Sequence, residues 1–162
     1  MSLTNTQLEN ELSRIAVSEA ADSIVIQTPI ALLAAGEVLQ NWALPQVYFI
    51  ADRAYEITSI REAHDTLQAS ADGAALQVVK LTGTTAPSLD SDGLLLLTAS
   101  NGGTDIFRGF DLKGIAVNTV TNGTMTNQVS SLTLAAGNRL AWGINGTIAS
   151  TFIQLTTVLR KI

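Results

Sequence analysis

Between Pro45 and Thr82 the chain reads PQVYFIADRAYEITSIREAHDTLQASADGAALQVVKLT, three strand-length apolar runs separated by two short polar stretches. Gln46 to Ala51 is a continuous run, the pattern of a strand buried on both faces. Asp52-Arg53-Ala54 turns the chain into Tyr55 to Thr66, which alternates as a half-exposed strand does. Within it Ile57 and Ile60 have opposite parity, so a bulge, or burial on both sides, is expected near Thr58-Ser59. Ala69 to Gly73 is a loop of small and polar residues, and Ala75 to Leu81 is the third strand.

The same punctuation extends to both sides. Ser23 to Thr28 is β-branched and is expected to end at Pro29, which cannot donate to a ladder. Ile30 to Leu44 mixes helix-forming Ala and Leu with Gly36 and fits either a helical turn or a strand pair. Further strands are expected at Leu94 to Leu97, Ile115 to Thr121, Val129 to Ala135 and Arg139 to Ile144, with one or two closing strands in 147–162. Leu140, Trp142 and Ile144 share one face by alternation. Asn122-Gly123 and Asn145-Gly146 are read as turns. The sum is eight to ten strands without βα alternation: an all-β fold, a jelly-roll-like β-sandwich over 23–162. Residues 1–22 stand apart as a short helix or an extended arm. Thr6 and Glu9 have capping-box spacing, and Leu8, Leu12 and Ile15 recur at helical intervals.

Composition bounds the function classes. The 162 residues suffice for one core. Only 14% are charged, against about 25% in ordinary domains. A surface so poor in charge is expected to be covered in part by a partner or by copies of the chain. Nine basic residues, spread along the chain without a cluster larger than Arg160-Lys161, and a net charge of −5 argue against nucleic acid as a partner. The chain has no Cys, which excludes disulfides and thiolate sites. Met1-Ser2-Leu3-Thr4 does not open a secretion signal, and no run is apolar enough for a membrane span, so a chain made in a cytoplasm and kept soluble, with no membrane partner, is expected.

No constellation of catalytic residues emerges, and an enzyme is not expected. His64, beside Asp65 and near Glu62, is the single histidine. Neighbours on a strand point to opposite faces, so His64 and Asp65 are poorly set to pair, and His64 reads as a surface residue at a strand end. Asp90 and Asp92-Gly93 open like a calcium loop, but Asn101 stands where the bidentate Glu belongs; Asp105 and Asp111 are not brought to them by any spacing. Asn122-Gly-Thr124 and Asn145-Gly-Thr147 fit the glycosylation pattern and read as turns. Trp42, Trp142, Tyr48 and Tyr55 are expected in the core rather than on a sugar platform. No metal, cofactor or catalytic residue is therefore assigned.

FIADRAYEITSIREAHDT, ALQVVKLTGTTAP, GFDLKGIAVNTVTNG and LTLAAGNRLAW, with the Thr-rich closing strand, resemble tailed-bacteriophage virion proteins over about Pro45 to Ile162. The hairpin Leu-Ala-Ala-Gly-Asn-Arg-Leu, with Phe-Asp-Leu-Lys-Gly upstream, is the most characteristic part. The resemblance implies a capsid cement (decoration) protein: a jelly roll, as a homotrimer, bound to the major capsid protein on the outer surface of the virion. Under it, Leu8, Leu12 and Ile15 are expected to dock on the shell or on a neighbouring copy, with the sandwich edges and the loops at 82–92 and 99–105 meeting adjacent subunits. A head-fibre, tail or receptor-binding module gripping a host glycan is the alternative. A hydrolase using His64 with Asp65 or Glu62 is a third.

Overall fold

A computed structural model of the protein describes residues 22–31, 38–66, 74–83, 95–98, 100–101, 109–147 and 152–162. Ten strands lie among them: β1 (Ser23–Ala31), β2 (Val38–Ile50), β3 (Tyr55–His64), β4 (Ala74–Leu81), β5 (Ser100–Asn101), β6 (Gly109–Asp111), β7 (Thr121–Asn122), β8 (Thr133–Leu134), β9 (Arg139–Thr147) and β10 (Phe152–Lys161). One sheet has the order β1-β10-β3-β7, with β8 also on β3; the other runs β2-β9-β4-β6-β5. The antiparallel pairs β1–β10, β2–β9, β3–β7 and β4–β6 are nested, as though one long hairpin had been rolled into two facing sheets. That is the jelly-roll arrangement.

Alternation builds the core. On β10, Ile153, Leu155, Thr157 and Leu159 are buried while Gln154, Thr156 and Val158 are half-buried and Arg160 is exposed. Leu140, Trp142 and Ile144 of β9 meet them from the other sheet, as their shared parity predicted. Tyr48 of β2 reaches across, its hydroxyl 2.9 Å from Thr157 Oγ1. Burial pushes the Tyr48 phenol above its ordinary range. β4 is buried on both faces, which explains its unbroken apolar run. Its inward Leu76 and Val78 join the main core, and Val79 and Leu81 form a second cluster with Leu95 and Ala141.

Residues 95–98 bridge β4 and the segment that follows β7. The Leu96 amide donates to the Val78 carbonyl at 3.0 Å, and the Leu96 carbonyl accepts from the Thr126 amide at 2.8 Å. Gln77, fully buried, acts as a surrogate strand partner: its Nε2 donates to Leu97 O at 3.1 Å and its Oε1 accepts from Leu97 N at 3.2 Å. On the opposite side, β1 and β2 are the edges of their sheets.

Several local expectations are corrected. β1 does not stop at Pro29 but runs to Ala31, since an edge strand tolerates a residue without an amide proton. β2 is an edge strand with register shifts, so Gln46, Val47 and Ile50 are exposed and not buried on both faces. Asn145-Gly146 is no turn; Gly146, at φ +108°, carries β9 through to Thr147. Asn122-Gly123 is not a hairpin either. A Cβ on Gly123 would lie 2.5 Å from Leu97 Cδ2, so this glycine permits a close approach of chains. Ile115 to Thr121 is turns, with only Thr121 in β7, because Asn118 takes φ +54° and the Ile115 amide folds back to Asp111 O. Val129 to Leu132 is one helical turn ahead of β8, held through Lys80, whose Nζ donates to Ser130 O and Thr133 O at 2.6 and 2.7 Å.

Candidate functional site

The bulge expected in β3 is present and has a consequence for chemistry. Val158 of β10 faces Ser59 and Leu159 faces Ile57, leaving Thr58 as the extra residue. Its hydroxyl donates to Val158 O at 3.1 Å. Beyond the bulge the parity of β3 is inverted, so Ile60, Glu62 and His64 face the core together. His64 is therefore not a surface residue. It lies in the row Ile30–Ile153–His64 across three strands, all buried.

Glu62 and His64, two apart on one strand face, pair with each other: His64 Nδ1 is 3.1 Å from Glu62 Oε2, and both side chains are fully buried. Glu62 Oε1 and His64 Nε2 have no hydrogen-bond partner. Leu155 stands beside Glu62 and Ile153 beside His64 on β10. Asp65 is turned away and exposed; its Oδ1 accepts from the Phe152 amide at 3.2 Å. A hydrolytic site also needs a nucleophile and room for a substrate. On β10 the pair is flanked by aliphatic Leu155 and Ile153, and on β7 Thr121 stands opposite Glu62. Sequence reasoning missed the pairing, although the signal was available, because the bulge inferred from Ile57 and Ile60 also assigns His64 and Glu62 to the inner face.

The other chemical candidates are not assembled. Among the described residues no group of three His, Cys, Asp or Glu is arranged to hold a metal ion. Asp111 is buried on β6, where its Oδ1 accepts from the Lys113 amide. Asp90, Asp92 and Asp105 lie outside the described residues, as do Leu8, Leu12 and Ile15 and most of the loops at 82–92 and 99–105. Trp142 and Tyr55 are in the core, as expected, and Tyr48 packs against it; the Trp42 side chain is outside the described set. No described helix is long and apolar enough to cross a membrane.

What the sheet does present is an outer face with little charge. From β1 it carries Ser23, Val25, Gln27 and Pro29, from β10 Gln154, Thr156 and Val158, and from β3 Ser59, Arg61 and Ala63. Arg61 is the charge at its centre, its Nε donating to Ser59 Oγ at 3.1 Å. Glu56 and Arg160 form an ion pair at one end. Surfaces of this kind lose little desolvation energy when another protein covers them.

No protein-family model, no curated protein and no solved structure matches this chain.

Proposed function

We propose that this chain is a virion structural protein that binds the outer surface of an assembled phage capsid as an oligomer and bridges neighbouring subunits of the major capsid protein. The single observation that carries the reading is the jelly-roll sandwich whose outer β1-β10-β3 face is mostly neutral, with Arg61 at its centre and the Glu56–Arg160 pair at one end. Neutral Ser, Thr, Gln and Val are suited to being covered, and poorly suited to holding a charged substrate. The sequence resemblance to tailed-phage cement proteins agrees with this, whereas the fold alone is shared by capsid, lectin and enzyme domains.

The mechanism is linkage. A protein that binds the assembled lattice and not its separated subunits stabilises that lattice by mass action, and contacts from several copies add through effective concentration. The glycan-binding alternative has less support, because the described aromatics Trp142 and Tyr55 are consumed by the core. The test is a cryo-EM reconstruction of virions carrying the chain, joined to a heat-release assay of particles with and without it. Density on the shell between capsomers, and a higher release temperature with the protein bound, are expected. Density confined to a tail or fibre would overturn the reading and direct attention to glycan screening.

A further inference from the structure

We propose that two copies of this chain join along the free edge of β1 by antiparallel pairing about a twofold axis through Val25. The contact is between copies and does not rest on the capsid reading. The first observation is hydrogen-bond phase. The Lys161 amide donates to Asp22 O at 2.8 Å, which makes Asp22 and Lys161 a hydrogen-bonded pair. Alternation along the unbroken β1–β10 register then directs the main chain of Ile24, Ile26, Thr28 and Ile30 toward β10 and that of Ser23, Val25 and Gln27 away from it. Among the described residues β1 has β10 as its one strand partner, so those outward amides and carbonyls form an open edge.

The second observation is what fails to protect that edge. Exposed strand edges are ordinarily blunted by charge, proline or bulges. Ser23–Ala31 contains no Asp, Glu, Lys or Arg and no register shift. Its one device is Pro29, which falls in the outward phase and removes a donor only beyond Gln27. The usable edge is thus the five residues from Ser23 to Gln27, centred on Val25.

The third observation selects a second copy as the occupant. Paired about Val25, the segment is self-complementary: Ser23 of one copy faces Gln27 of the other, and Val25 faces Val25. Val25 is 58% exposed on the outer face, and its cross-strand neighbour is Val158. Pairing would run a stripe Val158–Val25–Val25–Val158 across the joined sheets, with aliphatic contacts directly opposite each other. Each copy carries a net charge of −5, so two copies approach best where neither presents charge. Twofold pairing yields dimers, in place of the trimers that the resemblance implies.

The chain has no cysteine, which gives a clean test on the full-length protein. In a hydrogen-bonded antiparallel pair the facing Cα atoms are about 5.5 Å apart, within disulfide reach. Val25→Cys is expected to give a covalent dimer under mild oxidation, while Thr58→Cys, exposed on β3, remains monomeric on denaturing gels. Sedimentation equilibrium should give twice 17.0 kDa for the wild type. Val25→Lys, which sets two like charges opposite each other, should return it to a single copy with an unchanged circular dichroism spectrum. A monomeric or trimeric wild type, or a dimer in which Val25→Cys does not cross-link, would overturn the proposal. A Val25→Cys thiol that becomes reactive only after residues 1–21 are removed would also overturn it and assign the edge to that segment.

Discussion

Insertion of Thr58 as the extra residue of a bulge decides which face of β3 carries Glu62 and His64. Two ionisable side chains are thereby buried with one hydrogen bond between them and one orphaned polar atom on each. Removing one partner of such a pair strands the other in an apolar core at a cost of about 3–5 kcal/mol, while replacing both with aliphatic residues is often neutral or stabilising. His64→Ala is accordingly expected to lower urea-unfolding stability by that amount, and the double change Glu62→Leu with His64→Leu by much less. Equal losses would mean that the pair is not energetically coupled. At the opposite end of β3, Tyr55 donates its hydroxyl to Asp52 Oδ1 at 2.5 Å. That bond, and Arg53 beside it, hold the Asp52 carboxyl below its ordinary 3.8. A carboxyl depressed in the folded state contributes stability that is present above the unfolded value and lost as pH falls through the folded one. Tyr55→Phe should therefore flatten the acid side of the stability profile, as pH falls below the ordinary carboxylate range, and leave its neutral side unchanged in slope. The parity of Ile57 and Ile60 made the bulge legible in the sequence. The Tyr55–Asp52 bond was not, since nothing in the spacing shows how a turn aims a phenol.

Elements here were read best where alternation is strict and worst where glycine and asparagine stand in for geometry. β3 and β9 follow from their periodicity, because one buried face specifies register strongly, and β4 from its unbroken apolar run. Asn-Gly at 122–123 and 145–146 has the composition of hairpin turns but serves a close approach and a strand continuation. Local composition permits a positive φ or a missing Cβ without saying which use the fold makes of it. Gly109 makes the same point on β6. It has φ +123°, and a Cβ there would collide with the Leu76 carbonyl oxygen, a backbone atom that cannot move aside. Gly109→Ala should cost about 2–3 kcal/mol by thermal or denaturant unfolding, mostly through displacement of β6 from β4. A change within experimental error would show that β6 shifts freely and that its burial is incidental.

At the scale of the molecule, the function assigned to the chain depends on which surfaces remain open after the sheets have closed. One side is closed by residues 95–98, which bond to β4 and to residues 124–126 and are seated by Gln77. The other ends in β1 and β2, neither of which contains a charged residue. The proposed capsid binding and copy-to-copy pairing would draw on this asymmetry, through the outer sheet face and the β1 edge respectively. The sequence by itself determined the all-β fold class, the shared face of Leu140, Trp142 and Ile144, the break in parity between Ile57 and Ile60 and the scarcity of charge, because period-2 burial and composition are local properties of the chain. Only the tertiary structure decided that β2 and β1 are the outer strands of their sheets among the described residues, that Gln77 and Lys80 bond to distant backbone, and that His64 is buried against Glu62. Each of these depends on which strands become neighbours, and pairing between segments more than a hundred residues apart, as in β1 with β10, is set by the closure of the whole sandwich rather than by any local pattern.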